Sequence, residues 1–121
     1  LVTAIESGVV HTIGHPTNRR IGGRDPVRFD LDTVVAACVE NDVCLEINAQ
    51  PERLDLPDTH VVAIRDRGVC FTLGTDAHRP EGLDLMPGAV AMARRGWLRA
   101  ADVLNTLSAD ALRDRLRGRQ R

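Results

Sequence analysis

Short apolar runs alternate with amphipathic stretches along this chain. Residues 9–13 (VVHTI), 43–48 (VCLEIN) and 69–74 (VCFTLG) are dense in β-branched and aliphatic side chains, as buried strands are. Between them the spacing changes. From Asp30 onward, Leu31, Val34, Val35, Cys38 and Val39 recur at helical spacing, with Asp30 or Asp32 placed to cap the first turn. Residues 57–68 (PDTHVVAIRDRG) open on proline and close on glycine, the asymmetry of a helix. Further helices are predicted at about 84–95, 100–107 and 108–117, the last capped by Ser108 with Leu112 and Leu116 on one face. LVTAIES followed by Gly8 reads as the last turns of a helix, so the chain is expected to begin in mid-element. The polar loop that follows residues 9–13 and runs up to Phe29, rich in Gly and Arg, is longer than an idle connection needs to be.

The order strand, helix, strand, helix, strand, helix, with nearly continuous apolar strands, predicts an α/β fold of parallel strands covered by helices. Three strands are too few to close a barrel. The expectation is half of a larger β/α architecture, with at least one sheet edge open unless another chain covers it. In such folds chemistry gathers where strands end and loops begin.

Composition narrows the function classes. At 121 residues the chain has the size of one small domain. With 27% charged and 43% hydrophobic residues and a net charge of −1, the whole-chain balance argues neither for a disordered tail nor for a strongly DNA-seeking protein, and net charge alone names no partner. The few aromatic residues, Phe29, Phe71 and Trp97, make no ladder on which bases would stack. Cys38, Cys44 and Cys70 lie in apolar runs without Cys-x-x-Cys spacing, as buried thiols of a reducing compartment do. No apolar run reaches the ~20 residues of a membrane span and no signal peptide opens the chain, so a soluble cytoplasmic protein is expected.

The predicted strands end in GHPTNRR, EINAQP and GTDAH, all polar. In extended chain, residues two apart point the same way about 6.7 Å apart, so Asp76 and His78 can reach one ion or a close pair of ions. A carboxylate with an imidazole suits zinc, manganese or iron. Asp76 equally suits a turn cap and His78 a surface position. His15, between Gly14 and Pro16 at a matching strand end, adds a third donor and strengthens the metal reading. His11 lies about 13 Å further back along the strand and is expected to pack there. His60, early on a helix, is expected to face solvent. Asn48 shares a strand face with Glu46 and either hydrogen-bonds a ligand, orients His15, or is a satisfied structural amide. Arg19, Arg20 and Arg24 suit phosphate oxygens and equally suit a solvated loop. Arg113, Arg115, Arg117, Arg119 and Arg121 are expected to form a solvated helix end.

Taken together, IGHPTNR, LEINAQPERLDL, LGTDAHRPEGLDLM and ARRGWLRAADVLNT, in this order, resemble the closing portion of a PHP (polymerase and histidinol phosphatase) domain. More narrowly, they resemble the PHP domain at the C-terminal end of bacterial family X DNA polymerases. The resemblance covers essentially all of residues 1–121 and implies the C-terminal half of a distorted (β/α)7 barrel. It implies a cluster of up to three manganese or zinc ions at the strand ends, with His15, Asp76 and His78 as ligands; Arg19 and Asn48, from the reading of the residues themselves, are the candidate substrate contacts. It also implies phosphoester hydrolysis, in this branch a 3′-5′ exonuclease or end-processing activity on DNA.

The family's His-x-His pair and further upstream ligands have no counterpart among His11, His15, His60 and His78, and no polymerase domain is present. The chain alone is therefore expected to be inactive, as a fragment, a truncated product or one part of a two-chain assembly. Two alternatives stand beside the nuclease reading. One is a histidinol-phosphatase-like enzyme for small phosphoesters; the other is a non-catalytic interaction domain with a relic metal site. Self-association, or an upstream half-domain, would cover the open sheet edges.

Overall fold

The computed structural model describes residues 1–118. Arg119 and Arg121 of the predicted basic helix end lie outside the described residues. The chain forms an α/β unit: α1 (Val2–Glu6), β1 (Thr12–Ile13), α2 (Leu31–Glu40), β2 (Cys44–Asn48), α3 (Asp58–Ile64), β3 (Phe71–Gly74), α4 (Met86–Arg95) and α5 (Ala109–Gly118). The three strands lie in the order β1-β2-β3 and all pairs are parallel, as expected. Among the described residues no helix is long and apolar enough to cross a membrane.

Burial follows from the alternation of strand residues. Register pairs Ile13 with Leu45 and Leu45 with Phe71, placing these side chains on one face of the sheet. With Ile47 they meet Val34, Val35 and Cys38 of α2 and Val61 and Ile64 of α3 in the main core. The opposite face carries Thr12, Cys44, Glu46, Cys70 and Thr72. Its small and polar side chains interact with each other: Thr12 Oγ1 and Thr72 Oγ1 are 2.9 Å apart across β2.

The helix ends obey local chemistry. Asp30 caps α2, its carboxylate accepting from the amides of Asp32 and Thr33 and from Thr33 Oγ1. The helix over 57–68 tightens into a 3-10 turn at Arg65–Arg67 and stops at Gly68, whose φ of 83° is left-handed. Ser108 caps α5 by accepting from the Ala111 amide.

Several expectations are corrected. The first strand is short, covering Thr12–Ile13 rather than 9–13, because its register with β2 takes in only those two residues, with the His11 carbonyl accepting from the Cys44 amide just before them; Val9 is exposed. The helix expected over 100–107 is two 3-10 turns, Ala100–Asp102 and Leu104–Thr106, separated by an extended Val103. Val103 bridges to Phe71, and Asn105 accepts from the Leu73 amide while its Nδ2 donates to the Leu73 carbonyl. Tertiary hydrogen bonds thus outcompete helical ones here and cover the outer edge of β3. His11 sits just before β1, half-buried, with Nε2 3.3 Å from the Leu116 carbonyl oxygen. His60 is half-buried rather than solvent-facing, its Nδ1 without a hydrogen-bond partner among the described residues. Arg115, partly exposed, does not simply extend into solvent: it donates to both carboxylate oxygens of Asp42.

Candidate functional site at the strand ends

Because all three strands are parallel, their C-terminal ends lie along one edge, and the loops at 14–20, 49–57 and 75–80 meet there. Backbone geometry in these loops is unusual. His15, Asn18, Leu54 and Asp76 all hold positive φ without being glycine. Each such residue costs about 1 to 3 kcal/mol and persists only where its surroundings over-determine it.

Glu46 supplies much of that determination. Its Oε2 accepts from the His15 amide at 2.5 Å and from Asn48 Nδ2 at 3.2 Å. The carboxylate lies over Gly74, where a Cβ would overlap it. Asn48 is fully buried, and its Oδ1 accepts from the Gln50 amide, so its amide is satisfied within the protein. Asp55, also fully buried, accepts from the Thr17 amide with both oxygens, at 3.2 and 3.0 Å. Arg19 donates to the carbonyls of Arg53 and Leu54, tying the first loop to the second.

Gln50 then joins the second loop to the third. Its Nε2 donates to the Thr75 carbonyl at 2.6 Å and to the Asp76 carbonyl at 3.1 Å. His78 turns back on the same residue, with Nδ1 2.7 Å from the Asp76 carbonyl oxygen and 4.0 Å from Oδ1. Arg53 Nε lies 3.5 Å from Asp76 Oδ2. These groups line an open cleft of about 850 Å3 that also receives Arg20, Glu52, Arg79 and Glu81. Three arginines thus face three carboxylates, and the cleft has no strong bias of either sign.

The structure places Asp76 and His78 together in this cleft, whereas His15 does not line it. Among the described residues no group of three or more His, Cys, Asp or Glu side chains could hold a metal ion. Asp76 and His78 are suitable donors for a first-row divalent ion, yet two donors fall short of the usual four or more. As they stand, these residues do not make a complete metal centre. Glu46, Gln50 and Arg53 were not singled out as site residues from sequence. The signal was present in their position, within or just past the end of β2.

No family model matches the chain. The chain is 40% identical over 108 residues to "DNA polymerase/3′-5′ exonuclease PolX" of Bacillus subtilis (strain 168). That match takes in 89% of this chain and 19% of the relative, so the chain spans about a fifth of the length of the curated protein it resembles.

Proposed function

We propose that this chain is part of a metal-dependent phosphoesterase that trims DNA from its 3′ end, with its three strands forming part of a PHP-type β/α barrel. The similarity to a DNA polymerase/3′-5′ exonuclease supports the substrate class. The observation that carries the reading to specific residues is the pairing of Asp76 with His78 beside an arginine-bearing cleft at the strand ends. In this reading Asp76 and His78 contribute donors to a manganese or zinc site completed by groups outside residues 1–121, and His15, after β1 on the far side of β2, would supply a further donor from the same edge of the sheet. Such ions supply an activated water and neutralise charge on the phosphoryl group. This chain's own part is to hold the donors: Gln50 fixes the Asp76 backbone and Glu46 fixes that of His15.

The test is release of nucleotides from 3′-labelled single-stranded DNA by the natural full-length polypeptide with manganese. Asp76→Asn and His78→Ala should each lower the rate by about 100-fold or more, with folding intact. Unchanged rates in both variants would overturn the assignment. Faster turnover of histidinol phosphate than of DNA would transfer the site to a small-molecule phosphatase.

The Arg53–Asp76 ion pair favours a second reading, a non-catalytic domain in which an arginine has taken the place of a cation. Arg53→Ala separates the two. Stronger manganese-induced thermal stabilisation in the variant identifies a competing metal site; no response to manganese in either protein identifies the relic.

A further inference from the structure

At the opposite end of the sheet, two thiols stand side by side. Leu45 pairs with Phe71, and the Leu45 amide donates to the Cys70 carbonyl at 2.9 Å, so Cys44 and Cys70 occupy matching positions on neighbouring strands. Both project to the face opposite Leu45 and Phe71. Strands run about 4.8 Å apart, within the Cα separations of about 4.4 to 6.8 Å that disulfides span. Both cysteines are free.

Their surroundings are unequal. Cys44 is buried, whereas Cys70 is half-buried and within reach of solvent. Cys70 Sγ donates to the Phe71 carbonyl at 3.7 Å, and the neighbouring Cys44 thiol together with the Arg115 guanidinium draws the Cys70 thiol down to about 7. Cys44, beside Cys70 and out of water, is pushed up. Arg115 is held in place by its two hydrogen bonds to Asp42. A partly exposed, anion-prone sulfur backed by a protonated neighbour is the arrangement of an attacking and a resolving thiol.

We propose that Cys44 and Cys70 form a redox-responsive dithiol, oxidised to an intrachain disulfide by a small-molecule disulfide of the glutathione type. The Cys70 thiolate attacks one sulfur of the oxidant, whose S–S bond breaks; a mixed disulfide forms and one glutathione thiolate leaves. Cys44 then gives up its proton and attacks the Cys70 sulfur, and the second glutathione leaves as the thiol. The two cysteines lose two electrons and two protons, and one glutathione disulfide becomes two thiols. Cys38, fully buried on α2, takes no part. This inference is independent of the metal site, which lies at the other strand ends.

The experiment is treatment of the folded full chain with oxidised glutathione, followed by alkylation, digestion and mass spectrometry. The expected product is a Cys44–Cys70 linked peptide with Cys38 still reduced. Cys44→Ser should arrest at a stable glutathione adduct on Cys70, and Cys70→Ser should react at neither remaining cysteine. Arg115→Gln should slow the first step by about threefold or more while the disulfide still forms. A chain that stays fully reduced, links between chains, or an adduct distributed over all three cysteines would overturn the proposal. Peptide mapping of the unsubstituted chain decides this even if a serine variant fails to fold.

Discussion

The two ends of one small sheet have been given opposite tasks. At the C-terminal ends, side chains serve the backbone: Glu46, Asp55, Arg19 and Gln50 all bond main-chain groups and hold loops in strained conformations. At the N-terminal ends, side chains serve each other: Arg115 meets Asp42, and Cys44 meets Cys70. The first arrangement presets the cleft carrying Asp76 and His78. The second leaves functional groups to respond to one another. Strain needs buried, directional anchors, whereas a titrating pair needs only proximity and partial exposure.

Substitutions can break this contrast. The largest effect is expected from Asp55→Ala, which strips the buried Thr17 amide of both acceptor oxygens and should cost about 3 kcal/mol in urea unfolding. A loss well under about 1 kcal/mol would show that buried polar anchors do not hold these loops. Gly74→Ala should follow at about 2 kcal/mol, because its methyl displaces the Glu46 carboxylate from the His15 amide. Gly14→Ala is the control. Its Cβ would meet Glu46 Oε2 at an ordinary 3.5 Å, so it should cost clearly less.

At the other end the effects should be smaller. Asp42→Asn removes one charge of a partly exposed pair and should cost no more than about 1 kcal/mol, shrinking further in high salt. An equal loss at both salt levels would point to a buried anchor there as well. The smallest signal is the pH dependence of the thiols. Cys70 is held below its ordinary 9.0, at about 7, so its contribution to stability is full above pH 9 and lost as pH falls through 7. Cys44 is held up, so its contribution is full below 9.0 and lost at higher pH. Thermal stability should therefore rise from pH 7 to 9 relative to Cys70→Ser, and alkylation of Cys70 should show a midpoint near pH 7. A midpoint near 9 would remove the asymmetry between the two thiols.

Elements whose information is local were legible in the sequence. The Leu31–Val39 periodicity with Asp30 before it yields α2 and its cap, since both depend on residues three or four apart. The apolar runs yield β2 and β3 to within two residues at each end. Residues 100–107 misled, because Val103 and Asn105 answer to β3, about thirty residues earlier, rather than to their own neighbours. Of the candidate site, the Asp76–His78 pairing was legible because the two residues share one short loop. Arg53 beside Asp76 was not, because that contact requires the second and third loops to meet.

The sequence by itself determined the order of elements, the parallel α/β arrangement and the concentration of polar chemistry at the strand ends. These follow from periodicity and from the rule that parallel strands need crossovers. Only the tertiary structure decided which polar groups are occupied and which are available. It assigned Asn48 and Arg19 to internal hydrogen bonds, kept His15 out of the Asp76–His78 cleft, and brought Arg115 to Asp42 and the two thiols. Hydrogen bonds and ion pairs act over a few ångströms, and sequence spacing does not measure that distance once the chain has folded back on itself.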